Sequence, residues 1–424
     1  MGANPLRGQT SPSTPAEIDA LYPDLAALYQ DLHRNPELGF QETRTAATLA
    51  ARLRSLGYEV TTGVGGTGIV AILRNGQGPT AMLRTELDAL PVQEKTGAPF
   101  ASTATARNAA GQPVPVMHAC GHDLHMAAWA GTAAWMVNHR QLWNGTLMLV
   151  GQPAEETVGG AVAMLKDGLF QRFPKPDFVL GLHDDDTLPS GTIGYHPGFF
   201  RAAMAAPVIT IFGRGGHGAM PHNTIDPVVM AARTVLTLQT IVARENNPLD
   251  PVVVTVGSIH GGTQGNIIPD QVRLELSVRT FSEDVRQRVL ASIARIAKAE
   301  ALAAGAPREP LVEFANAGAT AVFNDPALTN RVASALRTAM GAQRVVDIPA
   351  KMTSEDFSEY GRAGVPSVLL HIGAVSPAAL ADARRTGIPV PAPHSSEWLP
   401  ELEPTLKAAV QAETTALIDL LPGR

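Results

Sequence analysis

One cysteine, Cys120, stands in 424 residues, so the chain can form no internal disulfide, which suits a reducing compartment. No run reaches the roughly 18 to 20 apolar residues that a membrane helix needs, and the start, MGANPLRGQTSPSTPAE, lacks the apolar core of a signal peptide. A cytoplasmic protein with no membrane partner is therefore expected, an export signal removed ahead of this sequence being the alternative. Lys plus Arg number 33 against 39 Asp plus Glu, a formal charge of -6, and no basic block offers itself to a phosphate backbone. Nucleic acid is not an expected partner. Also missing are the G-x-S-x-G elbow of serine hydrolases, an HExxH pair, and a Gly-rich loop followed by Lys. The run GVGGTG at 63–68 fits no phosphate-binding fingerprint and reads as a turn.

What is present describes a folded chain of more than one domain. Hydrophobic residues make up 45% and charged residues 17%, ordinary for a globular protein, and the length exceeds what one core usually organises. Residues 1–16, rich in Pro, Ser, Gly and Thr, read as a mobile arm. From Ala16 to Leu56 the apolar spacing is helical, with Gly57 as its C-cap. Strands at 69–73, 80–84, 146–150 and 178–182 then alternate with helical stretches, notably 124–139, as in a mostly parallel, helix-covered sheet. Near Ala203 the rhythm changes to strand 206–212, helix 226–244, strands 252–258 and 271–279, helix 283–303 and strand 311–315. That βαββαβ order resembles a ferredoxin-like unit inserted into another domain. After Gly318 the α/β pattern resumes, with helices near 326–340 and 401–421 and a strand at 366–371. The expected organisation is thus an arm at 1–16, a discontinuous main domain at 17–202 and 318–424, and an inserted domain at 203–317. The segment 101–115 reads as a surface loop.

Residue types that ligate metals follow several of these strands: Glu86 and Asp88, Cys120 and His122, Glu155 and Glu156, and His183. In open parallel sheets the carboxyl ends of the strands form the binding crevice, so distant residues converge there. MHACGHD at 117–123 sets a thiol and an imidazole two residues apart around a glycine that permits a tight turn. A lone cysteine is ordinarily a small buried apolar residue; with His118, His122 and His125 beside it, a metal ligand is the better reading. Adjacent glutamates are ordinarily a solvated pair, yet in QPAEET at 152–157 they follow a strand. In loop geometry one can ligate a metal while the other serves as general base. His183 and His394, each ordinarily structural, gain weight from the rest. Asp184 to Asp186 reads as an exposed acidic turn, with repulsion of anionic substrates as the other reading.

Taken together, NPELGFQETRT at 35–45, GVGGTGIVA at 63–71, DALPVQE at 88–94, MHACGHDLH at 117–125, QPAEE at 152–156, GLH at 181–183, GRGGHGAMPH at 213–222, NIIPD at 266–270, SEDF at 354–357 and His394 resemble the aminoacylase and carboxypeptidase family of dinuclear metalloenzymes. The resemblance is to the branch of hippurate hydrolases and indole-acetyl-amino-acid hydrolases, and it runs nearly end to end. It implies a di-zinc-peptidase-like α/β domain whose insert is a lid and dimerisation domain. Two divalent ions per subunit, zinc first and manganese or cobalt next, would be held by Cys120, His122, Glu156, His183 and His394, with the Cys120 sulfur shared. Glu155 would be the general base in hydrolysing the amide of an N-acyl amino acid. Asp88, with Glu86 nearby, would orient ligands. In a homodimer or higher homo-oligomer His217 would reach the partner's site and stabilise the oxyanion, and Asn266 and Arg279 would hold the substrate carboxylate; an exposed strand position is the plainer reading of Arg279.

Four features depart from that pattern. Glu86 stands where the branch usually has Asp, Thr353 replaces a glycine before SEDF, Gly218 replaces an alanine, and 101–115 is long. These bear on substrate choice, since loops near a site's mouth shape its specificity. A dipeptidase or carboxypeptidase on the same scaffold is the alternative activity, and a non-catalytic binding homologue is the alternative from another class.

Overall fold

The structure, a computed structural model, describes residues 13–314 and 318–423. Two compact units emerge: one of Met1–Gly198, Phe323–Pro349 and Glu359–Arg424, the other of Phe199–Val322 with Ala350–Ser358.

The first unit is built on an eight-stranded mixed sheet in the order Glu59–Val64, Gly68–Asn75, Gly145–Gln152, Thr80–Glu86, Phe178–Pro189, Ser367–Val375, Ile193–Tyr195 and Val345–Asp347. The three pairings that join Gly145–Gln152, Thr80–Glu86, Phe178–Pro189 and Ser367–Val375 are parallel. Their side chains are almost all buried, which is why these strands read as apolar runs rather than alternating ones. The α/β architecture expected from the sequence is borne out, with antiparallel pairings outside the parallel centre.

Helix His122–Asn138 is apolar on every side and buried from His122 to Met136, the signature of a helix enclosed by protein. It packs on helices Pro15–Arg34 and Leu402–Leu420. The first of these starts inside the segment expected to be a mobile arm. Thr14 and Glu17 form a capping box, with Pro15 in the first turn, and the Ser13 hydroxyl meets that of Thr414 at 2.8 Å. The rest of the expected arm, 1–12, lies outside the described residues.

The helical stretch expected from Ala16 to Leu56 is two helices, Pro15–Arg34 and Thr43–Ser55. Asn35 precedes Pro36, which disfavours helical backbone at Asn35, and Phe40 adopts φ 61°, so NPELGFQE crosses between the helices as an irregular segment. Gly57, at φ 86°, ends the second helix as expected: Tyr58 N–H donates to the Leu53 carbonyl and Gly57 N–H to that of Arg54. Segment 101–115 is not a bare loop either. Strands Thr105–Arg107 and Pro113–Pro115 pair as a small hairpin across a turn in which Asn108 accepts N–H groups of Ala110 and Gln112.

In the second unit, strands Ala203–Ala205, Pro207–Phe212, Val252–His260, Gln271–Thr280 and Leu311–Phe314 form one antiparallel sheet. Val272, Leu274, Leu276 and Val278 alternate inward along Gln271–Thr280 and join Ile209, Leu238 and Ile293 in a separate core. Helices Pro227–Thr240 and Glu283–Ala303 pack on this sheet, giving the ferredoxin-like unit the sequence implied.

Candidate metal centre

At the carboxyl ends of the parallel strands the first unit gathers thiol, imidazole and carboxylate groups. Three sets of donor atoms each lie within 4.8 Å of one another: Cys120, His122 and His183; Cys120, Glu156 and His394; and His122, Glu155 and Glu156. The structure therefore brings together all five residues expected as ligands, and Glu155 with them. Thiolate and imidazole donors suit a borderline-soft divalent ion.

Two of the imidazoles, His122 and His183, are oriented by their other ring nitrogens, the arrangement metal-ligating histidines use. His122 Nδ1 donates to the Asp88 carbonyl at 2.8 Å, and its buried Nε2 has no hydrogen-bond partner among the described residues. That Nε2 lies 4.0 Å from Glu155 Oε2 and 3.9 Å from Glu156 Oε1, room for an ion between them but no direct bond. Burial by itself would lower the His122 pKa, but Asp88, Glu86 and Glu156 push it up to about 10. A field that strong toward a proton equally favours a cation in its place. His183 Nδ1 donates to the Asp184 carbonyl at 2.8 Å, and its Nε2 lies 3.5 Å from the Cys120 sulfur. His394 Nε2 is 3.4 Å from Glu156 Oε2, and His394 takes a φ of 72° while its N–H donates to the Ala119 carbonyl at 2.6 Å.

Gly121, between the thiol and the imidazole, begins helix His122–Asn138 at φ 71°. A Cβ there would stand 2.3 Å from Asp184 Oδ2, so the position excludes side chains twice over, by conformation and by space. Asp88 Oδ2 accepts the Glu156 N–H at 3.0 Å, tying the glutamate loop to the segment that orients His122. Glu86 stands one layer further back. Its carboxylate pairs with the buried Arg84 guanidinium on one side and His125 Nδ1, at 3.1 Å, on the other. Burial opposes its ionisation, yet Arg84 and His125 hold its carboxyl well below the usual range. Arg84 also donates to Gln152, which accepts from the Tyr360 hydroxyl at 2.9 Å. Removing Glu86 would take one charged partner from the buried Arg84 guanidinium.

Asp184 and Asp185 are not an exposed turn. Both are buried on strand Phe178–Pro189, because the chain continues its pairing with Ser367–Val375 past His183. Asp184 accepts the Trp398 indole N–H at 3.0 Å, and its own N–H donates to His125 Nε2 at 2.8 Å. Asp185 meets His371 Nδ1 at 2.6 Å. His125, Asp184, Asp185 and His371 are thus supporting residues, a part that sequence reasoning did not give them. For His125 a signal existed: three residues after His122, it shares that helix face.

The second unit holds His217, Asn266 and Arg279. His217 is exposed on a two-residue strand paired with Ile267–Ile268, and Gly218 N–H donates to the Asn266 carbonyl at 2.8 Å. A Cβ at 218 would come within 3.1 Å of that carbonyl oxygen, so glycine keeps these two segments close. Half-buried Arg279 is not a free surface strand residue: Nη1 donates to the Ser354 hydroxyl at 2.5 Å and Nε to that of Ser277 at 3.3 Å. Ala202 N–H donates to the Thr353 carbonyl at 2.9 Å.

Residues 82–385 match the model of peptidase family M20/M25/M40. The chain is similar to the N-acetyl-L-cysteine deacetylase of Bacillus subtilis, 36% identical over 82% of this chain and 80% of that protein. It is also similar to the hippurate hydrolase of Campylobacter jejuni, 38% identical over 66% and 71% respectively. Among solved structures, the Bacillus subtilis YXEP protein, a dinuclear metal binding peptidase from the M20 family, superposes with a TM-score of 0.76 at 28% identity over 95% of this chain and 99% of that one. Among the described residues no helix is long and apolar enough to cross a membrane.

Proposed function

We propose, because this chain belongs to peptidase family M20/M25/M40 and is a metal-dependent amidohydrolase, that it hydrolyses the amide bond of N-acyl amino acids, on the hippurate hydrolase and indole-acetyl-amino-acid hydrolase side of the family. The observation that carries this reading is the Cys120 sulfur common to two donor sets, one with His122 and His183, the other with Glu156 and His394. Two divalent ions there, zinc by donor softness with manganese or cobalt next, supply the Lewis acidity that makes water nucleophilic near neutral pH. Glu155 takes a proton from the attacking water and delivers it to the amine nitrogen as the C–N bond breaks. Glu156, its neighbour, acts as ligand. Asp88 holds the loop that carries both, and Glu86 acts at one remove through His125.

The inserted domain, 203–317, serves as lid and dimerisation domain to a catalytic domain of 17–202 and 318–424. Across a homodimer His217 stabilises the oxyanion of the partner's site. Arg279, with Asn266, holds the substrate carboxylate, for which a planar guanidinium is suited. The relatives' named activities, removal of acetyl from N-acetyl-L-cysteine and hydrolysis of hippurate, support an acylated amino acid as substrate.

The test is turnover of N-benzoylglycine, N-acetyl amino acids and Gly-Gly by chelator-treated protein before and after reloading with zinc, manganese or cobalt. Turnover should require the metal and favour the acylated substrates. Preference for Gly-Gly would replace the reading with a dipeptidase, and undiminished turnover by verified metal-free protein would end it.

A further inference from the structure

Glu42 occupies the N-cap position of helix Thr43–Ser55, yet its side chain makes no capping bond. Capping falls to Glu37, whose carboxylate accepts the N–H groups of Arg44 at 3.0 Å and Thr45 at 2.8 Å. Released from that task, the fully buried Glu42 carboxylate accepts the N–H of Ala154 at 2.8 Å, 112 residues along the chain, and the Thr67 hydroxyl on its other oxygen. Ala154 directly precedes Glu155 and Glu156. It has φ 50°, and Val158 on the far side of the pair has φ 54°. Residues with a Cβ keep such a conformation only where their surroundings over-determine it. Gly39 makes the approach possible, because a Cβ there would crowd the Ala154 Cα and Cβ at 3.1 Å.

We propose that Glu42 is a positioning residue: by holding the Ala154 N–H it fixes the left-handed turn from which Glu155 and Glu156 project. The irregular segment 35–42 delivers it there. Asp88, on the Glu156 N–H, grips the same loop two residues on, so the pair of glutamates is fixed from both sides. The inference rests on the roles proposed above for Glu155 and Glu156. Its chemistry makes the three obvious variants behave differently. Glutamine keeps an oxygen for the Ala154 N–H and offers its amide to the Thr67 oxygen, which can accept. Aspartate is one methylene short of spanning the gap. Alanine leaves a buried N–H without its acceptor.

The experiment compares full-length, metal-loaded Glu42→Gln, Glu42→Asp and Glu42→Ala with wild type. It reads metal per subunit after dialysis into metal-free buffer, kcat and KM on an N-acyl amino acid, and Tm. Glu42→Gln should stay close to wild type. Glu42→Asp and Glu42→Ala should lose at least ~10-fold in kcat, toward the ~10²-fold that a misplacement of about 1 Å costs, with little change in KM and with weaker metal retention. Wild-type kcat and metal retention in Glu42→Asp would overturn the proposal, as would a Glu42→Gln variant as damaged as the others. If Glu42→Ala does not fold, the Asp and Gln variants decide. Should wild type hydrolyse no N-acyl amino acid, the proposed function fails. Metal retention then still decides for Glu42: loss in Asp but not Gln supports it, and equal retention overturns it.

Discussion

Asp88 Oδ2 accepts the backbone N–H of Glu156 at 3.0 Å, while the carbonyl of the same aspartate accepts the Nδ1–H of His122 at 2.8 Å. One residue thereby sets the spacing between an imidazole at the start of helix His122–Asn138 and a carboxylate in the loop after strand Gly145–Gln152. Asp88→Ala should keep the His122 bond, which uses the main chain, and lose the hold on Glu156. Losing a support of this kind typically costs ~10- to 100-fold in metal affinity or activity, and a competitive metal titration reads it. Affinity equal to wild type would remove Asp88 from the site's support.

The two neighbouring glutamates should separate cleanly. Glu155→Gln leaves every proposed ligand in place, so metal content should stay at the wild-type level. Turnover should nonetheless fall by the ~10²- to 10⁴-fold expected for losing a positioned proton carrier. Glu156→Gln removes an anionic donor, so metal affinity should drop with activity, and excess metal should restore part of it. Metal stoichiometry and kcat with and without added metal decide, and the reverse pattern would exchange the two roles.

Glu413 makes stability depend on pH from inside the helix layer. It is buried on helix Leu402–Leu420, accepts the Thr132 hydroxyl at 2.6 Å, and burial pushes its pKa up to about 8 from 4.5. The folded state therefore holds a proton that the unfolded state releases. The neutral carboxyl's contribution is complete below about pH 4.5 and is lost as pH rises toward 8, at about 1.4 kcal/mol per pKa unit. Glu413→Gln, neutral at every pH, should raise Tm most above pH 8 and little near pH 4. A Tm difference that does not grow between those values would contradict it.

The proposed trans role of His217 has its own test. A subunit inactivated by Glu155→Gln and one inactivated by His217→Ala should recover activity when mixed, because one site of the heterodimer then has both groups. Verified heterodimers that stay inactive would return His217 to its own subunit or to a structural role.

Much of this candidate site was legible because metal-ligating residue types stand beside apolar runs. Cys120, His122, Glu155, Glu156 and His183 each follow or closely precede an apolar run, and such placement converges in an open sheet whatever the intervening sequence. The glycine stop at Gly57 was likewise a local matter, decided within a few residues. So was the βαββαβ order of the second unit, since alternation along Gln271–Thr280 already separates its inner face from its outer one.

What the sequence by itself determined is therefore the set of candidate donors, the element order and local stops such as Gly57. Tertiary structure decided which polar residues are buried and whom they meet. Asp184 and Asp185 look like a solvated acidic turn until strand Phe178–Pro189 is seen to run on beside Ser367–Val375, which carries them inside and gives them Trp398, His125 and His371 as partners. Glu42 lies inside what reads as one helical stretch until the segment between the two helices is seen to carry it to Ala154, with Glu37 taking the capping bonds. The reason is physical: a buried charge survives only where partners compensate its desolvation, and those partners lie between 59 and 214 residues away, beyond what any local pattern records.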